Sequence, residues 1–252
     1  MSSFVQTSTK RLVSVYTVGG IGNRICQVLA ALGYAKKYNR EFIFYQPHMH
    51  PNPHSSNKET KEFLLQLFPT VKVIHSGLSW KELKEEEFID SAAPRILLKG
   101  YFQNDKYYPP DMRLKIPNPP ITQFNTSLID FSNTCFIHYR FGDYINSDFE
   151  VDLTEYYSKS IEAVKQQNPK ITFLVFSDQP EKVNKDLGIV VPVTIGFWES
   201  LWLMSKCSGG ICANSSFSFC AALALSDKRS VYMPRQWKKG LVKELPEWVL
   251  NP

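Results

Sequence analysis

Apolar residues in this chain fall into short β-branched runs that alternate with stretches of helical spacing. Residues 12–18 alternate, are rich in β-branched residues, and stop at Gly19-Gly20-Ile21-Gly22-Asn23. Ile25, Val28, Leu29, Leu32 and Ala35 then recur at helical spacing, so the segment reads as strand, glycine turn, helix. Residues 41–45 read as a strand, 58–68 as an amphipathic helix, 71–75 as a strand, 80–88 as a charged helix and 95–99 as a strand. Strand and helix alternating in this way predict a parallel sheet covered on both faces. Pro109, Pro110, Pro117, Pro119 and Pro120 then interrupt regular structure, and the stretch 109–126 is the predicted boundary. Beyond it the alternation resumes, with strands at 134–138, 171–176, 190–194, 210–213 and 230–233, and helices at 153–167, 198–206 and 217–225. The expectation is an α/β chain with two doubly wound halves, residues 1–120 and 121–252, the last helix packing back on the first half.

Polar chemistry gathers where the apolar runs end. The run 134–137 gives way to His138, Arg140 and Asp143, with Gly142 among them, and the run 171–176 ends in Ser177-Asp178. Open α/β sheets bind ligands at the carboxyl ends of their strands. A guanidinium there suits a diphosphate, which Arg grips with a planar fork of donors. This points to a nucleotide-sugar site near residue 140; an Arg–Asp pair that only holds a strand end fits the same ten residues. Asn214, Ser215 and Ser216, with Phe217 and Ser218 after them, stand where a helix N-cap is wanted and equally where a phosphate cradle would form. Gly20 and Gly22 allow close backbone approach to a phosphate or make a tight turn; the third glycine of a dinucleotide fingerprint is replaced by Ile25. The aromatic stretch 100–108 reads either as sugar-binding or as a core edge. The proline-rich loop 46–57 carries His48, His50 and His54.

Composition narrows the function classes. Apolar residues at 43% and charged residues at 21% describe a chain able to bury a core. The net charge of +5 is spread along the sequence, without the basic arm and interleaved aromatics that track nucleic acid. Cys26, Cys135, Cys207, Cys212 and Cys220 are an odd number with irregular spacing, so they are expected as buried free thiols in a reducing compartment, with no metal site. The apolar segment after Lys10-Arg11 is too short for a membrane span, and the chain as given is read as cytoplasmic.

Several separate stretches together match one pattern in one order. Gly19-Gly-Ile-Gly-Asn23 with Gln27, Gly100-Tyr-Phe-Gln103, His138-Tyr-Arg140 with Gly142-Asp-Tyr144, Tyr156-Tyr157, Phe176-Ser-Asp178, Ala213-Asn-Ser-Ser-Phe-Ser-Phe219 and Met233-Pro234 with Trp237 resemble the α-1,2-fucosyltransferases of glycosyltransferase family 11. These pieces span residues 19–237. The resemblance implies a GT-B-like fold, two Rossmann-type halves facing a cleft, and inverting, metal-independent transfer of L-fucose from GDP-fucose to a sugar hydroxyl. It implies no cofactor, a nucleotide-sugar donor held mostly by the C-terminal half, and a glycan acceptor on the N-terminal side. By position, Arg140 would hold the β-phosphate of the leaving GDP beside His138. Ser215, Ser216 and Ser218 would bind the nucleotide or its phosphates, and Gly20, Gly22 and Asn23 would approach the donor. Asp143 and Asp178 would orient backbone or nucleotide. Two positions depart from the pattern: Phe141 replaces a second arginine, and position 24, commonly Gln, is Arg24, which could supply the missing charge. The same fold using another nucleotide deoxysugar such as rhamnose, or a non-catalytic nucleotide- or glycan-binding relative, are the alternatives. Asp105, Asp143, Glu150, Asp152 and Asp178 are candidates for a general base by type.

Overall fold

The computed structural model describes residues 10–75, 77–226 and 230–252. The chain forms two compact units that divide between Met112 and Arg113. The first contains β1 (Leu12–Val15), α1 (Ile21–Lys37), β2 (Glu41–Tyr45), α2 (Asn57–Leu67), β3 (Lys72–Ile74), β4 (Lys81–Lys84) and β5 (Arg95–Lys99). All five strands are parallel, in the order β3-β2-β1-β5-β4. From β1 the chain steps outward through β2 to β3, then crosses to the far edge at β4 and comes back to β5, so β1 and β5 flank the point where the order reverses.

Helix α1 is buried along nearly its whole length, and Ile25, Val28 and Leu29 have no exposed surface. Gly33 permits one close approach: a Cβ there would lie 2.0 Å from the Tyr107 carbonyl oxygen. The aromatic stretch after β5 is a core edge in part. Phe102 and Tyr108 are buried, Tyr101 is exposed, and Phe102 packs against Phe88 and Tyr107. Phe102 adopts a left-handed φ of 49°, held by Glu85, whose carboxylate accepts from the N–H groups of both Tyr101 and Phe102 at 2.9 Å.

The charged helix expected at 80–88 does not form. Residues Lys81–Lys84 are the edge strand β4, in parallel register with β5, followed by a 3-10 turn at Glu85–Glu87. Only Leu83 of the four is buried. An edge strand has one face open to water, so Lys and Glu suit it as well as they suit a helix, and backbone pairing with β5 overrides their helical preference.

The second unit contains β6 (Thr134–Tyr139), α3 (Thr154–Gln167), β7 (Thr172–Ser177), β8 (Ile189–Val190), α4 (Phe197–Lys206), β9 (Gly209–Ile211), α5 (Ser216–Leu223) and β10 (Val231–Tyr232). Its sheet is again wholly parallel, in the order β10-β9-β6-β7-β8. Ile137, Val175 and Ile211 are the centre of its core, with Val164 and Phe173 against them. The irregular residues after Arg113 are fixed to α4: Trp198 Nε1 donates to the Pro117 carbonyl at 2.9 Å, and the buried Glu199 carboxylate accepts from the N–H groups of Gln123 and Phe124. Beyond α5 no helix follows among the described residues. A short antiparallel hairpin, β11 (Gln236–Lys238) and β12 (Leu241–Val242), is followed by a bridge from Leu250 to Tyr232 of β10. All five cysteines are buried and free. No described helix is long and apolar enough to cross a membrane.

Candidate functional site

In the second sheet β6 lies between β7 and β9, so the polar residues that end these three strands come to one edge. The strand order reverses between β6 and β9, the place where such sheets leave a crevice for ligands. His138 pairs in register with Phe176 and Tyr139 with Ser177, which sets Arg140 beside Asp178. Arg140 Nη2 donates to Asp143 Oδ1 at 2.6 Å, and Nη1 lies 3.0 Å from Asp178 Oδ2, an ion-pair distance outside hydrogen-bond geometry. The other Asp178 oxygen accepts from the Phe141 N–H at 2.9 Å. Gly142 is required for this packing, because a Cβ there would meet Asp178 Oδ2 at 2.4 Å. The two carboxylates differ in freedom: the Asp178 side chain is 22% exposed and anchored, whereas that of Asp143 is 52% exposed.

His138 is only 5% exposed. Its ring lies 5.6 Å from that of Phe217, its carbonyl accepts from the Tyr157 hydroxyl at 2.8 Å, and its Nδ1 is buried without a partner. Burial, reinforced by the Arg140 charge, pushes its pKa down to about 3, so the imidazole is neutral near pH 7. A buried unsatisfied ring nitrogen costs roughly 1–3 kcal/mol, and at a ligand-binding edge a bound group can remove that cost.

Ser215 is the N-cap of α5, its Oγ accepting from Phe217 N–H at 3.3 Å. Asn214 is turned inward: its amide donates to the carbonyls of Phe149 and Trp237, both at 2.9 Å, and so ties the loop before α3 to the hairpin. The Ser218 hydroxyl is fully buried and donates back to the Ser215 carbonyl. Ser216 and Phe217 alone in the 214–218 stretch retain partial exposure. Capping therefore occupies the hydroxyl of Ser215, while the helix start stays partly open.

In the first unit the glycine turn is braced by its neighbours. Gly19 has φ +81°, and Asn23 Nδ2 fills the space a side chain would need. Asn23 Oδ1 accepts from Gln103 Nε2 at 2.7 Å. Gln27 spans the reversal point of this sheet, accepting from Val18 N–H and donating to the Gly100 carbonyl, both at 3.0 Å. Gly20 faces the imidazole of His54, while Gly22 is buried in the first turn of α1. Arg24 is 1% exposed and is not a free cation at a helix start. Its Nε donates to the Gly19 carbonyl and Nη2 to the Pro51 carbonyl, each at 2.8 Å, and burial lowers its pKa to about 10. Arg24 thus fastens the 46–57 loop to the glycine turn. His50 packs at a tilt against Tyr16, with ring centroids 4.2 Å apart; the side chain of His48 lies outside the described residues.

Acids considered as bases have structural partners, Asp143 with Arg140 among them. Asp152 Oδ1 accepts from Thr154 N–H, Glu150 from Asn146 N–H, and Asp178 from Phe141 N–H. Among the described residues no group of three or more His, Cys, Asp or Glu side chains is placed to hold a metal ion.

The sequence profile of glycosyl transferase family 11 matches residues 78–249, which include all of this second sheet and its strand-end residues. The chain belongs to glycosyl transferase family 11. No curated protein matches it by sequence. Among solved structures, the iron-containing dodecameric glycosyltransferase TibC from enterotoxigenic E. coli aligns with a TM-score of 0.51 at 11% identity, covering 96% of this chain and 62% of that one. The family 11 chain therefore spans less than two thirds of the length of TibC, and the likeness is one of fold. The fucosyltransferase NodZ from Bradyrhizobium aligns with a TM-score of 0.47 at 13% identity, over 86% of this chain and 94% of that one. The two parallel-sheet α/β halves are those of the GT-B class.

Tyr156 and Tyr157 belong to the family-like pattern but have no role expected from the sequence. Their hydroxyls donate to the carbonyls of Cys212 and His138, both at 2.8 Å, closing the ends of β9 and β6. Two adjacent tyrosines at the start of a polar helix were the available signal. Tyr144, whose hydroxyl donates to the Asn214 carbonyl at 3.1 Å, gave a weaker one.

Proposed function

We propose that this family 11 chain moves L-fucose from GDP-fucose to a hydroxyl of a glycan, with inversion at the anomeric carbon and without a metal ion. The observation that carries the reading is Arg140 at the reversal point of the second sheet, with the neutral, unpartnered His138 nitrogen beside it. Cleaving the bond between the sugar C1 and the phosphate oxygen leaves both bonding electrons on the diphosphate. A guanidinium aimed there is worth more in the transition state than in the ground state, because the charge grows as the bond breaks. The acceptor hydroxyl attacks C1 from the opposite face, gives up its proton, and turns a β-linked donor into an α-linked product. Residues 121–252 are assigned the donor and residues 1–120 the acceptor.

His138 acts as a neutral group. A positive charge on it would face Arg140, and its low pKa keeps that proton off, so it can satisfy its Nδ1 against a donor polar group. In the 214–218 stretch, Ser216 and Phe217 keep partial exposure and meet the nucleotide in this reading, while Asn214 and Ser218 hold the stretch in shape.

A second reading keeps the fold and changes the donor. Phe141 beside Arg140 removes the charge that the resemblance expects, and a TibC structure contains ADP-D-β-D-heptose. A thermal-shift panel of GDP, UDP, ADP and GDP-fucose, followed by transfer from labelled GDP-fucose to galactose-terminated acceptors with and without EDTA, tests both readings. The proposal expects GDP and GDP-fucose to stabilise the protein, and transfer to survive EDTA with an α-linked product. Stabilisation by ADP or UDP alone would move the donor assignment, and loss of transfer in EDTA would refute metal independence.

A further inference from the structure

The charges fixed at the end of β6 do not suit a diphosphate as they stand. Arg140 carries one positive charge, while its partners Asp143 and Asp178 carry one negative charge each, so the cluster is net negative by one. Phe141, the next residue, adds no charge; its ring stacks on Tyr139 and sits against the apolar core. An anion with two or more charges needs a further cation near this edge.

Lys182 stands there. It closes the 3-10 turn Pro180–Lys182, four residues beyond Asp178, and its Nζ lies 5.6 Å from the centre of the Phe141 ring. The turn is held by the bond from Lys182 N–H to the Gln179 carbonyl at 3.1 Å, and the following Val183 is buried. The backbone at Lys182 is therefore fixed while the side chain is exposed. No carboxylate lies within ion-pair distance of its ammonium among the described residues, in contrast to Lys36, Lys72, Lys99 and Lys159. A contact with an aromatic face positions an ammonium without neutralising it, and an exposed one is weak enough to be given up for a phosphate.

We infer that Lys182 is the second cation of the donor site, resting on the ring of Phe141 and closing on the diphosphate when the nucleotide binds. Phe141 and Lys182 together then do the work of a second charge next to Arg140: the ring aims the ammonium, and the ammonium cancels the excess carboxylate. The inference rests on the reading of this edge as a diphosphate site.

The test is calorimetric titration of the full chain with GDP and with guanosine, at low and moderate salt, for the wild type, Lys182→Ala and Lys182→Arg. Lys182→Ala is expected to weaken GDP about tenfold, to leave guanosine within about twofold, and to flatten the salt dependence; Lys182→Arg is expected to keep GDP within about threefold. Equal GDP affinity in wild type and Lys182→Ala, or an equal loss for guanosine, would overturn the assignment while leaving the donor site standing. If ADP or UDP binds in place of GDP, the same comparison with that nucleotide and its nucleoside decides the role of Lys182 separately from the donor's identity. A wild type that binds none of the three diphosphates overturns both readings. Melting curves of the variants check the fold, which an exposed side chain should not disturb.

Discussion

Arg140 stands just beyond the end of β6 and Arg24 in the first turn of the helix that follows β1, each strand flanking the reversal point of its sheet, yet the two arginines are held by opposite kinds of partner. Arg24 is buried and spends its fork on the carbonyls of Gly19 and Pro51. Arg140, with 23% of its side chain exposed, is held by two carboxylates, one of them more than half exposed. Carbonyls fix an arginine and leave little of it to offer a ligand. Carboxylates hold its charge in place, and an incoming anion of greater charge can take over the exposed one's share. The contrast separates an arginine that maintains a turn from one whose charge stays within reach of a ligand.

The largest effect on stability should come from Arg24. Replacing it with Ala leaves two carbonyls without their donors and unfastens the 46–57 loop, at a cost of about 3 kcal/mol by urea unfolding. Arg140→Ala should cost less, about 1 kcal/mol, because Asp143, the more exposed of its two carboxylates, can turn to water. Equal losses for the two variants would break the comparison.

His138 gives the next largest effect. Its folded pKa, about 3, lies below the ordinary 6.5, so the unfolded chain takes up its proton first as the pH falls. Stability is therefore full above about pH 6.5 and declines toward pH 3, at about 1.4 kcal/mol per pH unit. Between pH 7.5 and 4.5 the wild type should lose roughly 2–3 kcal/mol more than His138→Gln. A matching pH slope in both proteins would mean that His138 is not held neutral.

Smaller effects separate the two carboxylates. Asp178→Asn should destabilise by about 1–2 kcal/mol, since it weakens the bond from the Phe141 N–H as well as the contact with Arg140. Asp143→Asn should change stability by less than about 0.5 kcal/mol. The same substitution should tighten GDP binding, because it removes a competing negative charge from an exposed position. Weaker GDP binding by Asp143→Asn would contradict the view that this carboxylate gives way to the ligand.

Much of this organisation was legible along the chain, and the exceptions have physical causes. The strands Glu41–Tyr45 and Arg95–Lys99 were readable because they are short apolar runs buried on both faces. Strand β4 was not, because an edge strand reading Lys-Glu-Leu-Lys carries the composition of a surface helix. The His138, Arg140, Asp178 group was readable because each residue ends an apolar run, and position at a strand end survives translation from sequence to sheet. The role of Arg24 was invisible because its partners are backbone carbonyls, which every residue has. Asn214 and Ser218 look like ligands by type, and only their inward bonds reveal that they serve the loop and helix start. Lys182 belongs to a different strand end from Phe141, and only the parallel pairing of β6 with β7 brings them together.

The central claim is that Arg140 is the charge on which donor binding and transfer depend. Calorimetric titration of Arg140→Ala with GDP, alongside its melting curve, tests it most directly. The variant is expected to melt close to the wild type and to bind GDP roughly 100-fold or more weakly. GDP affinity within threefold of the wild type, in a variant that is folded, would contradict it.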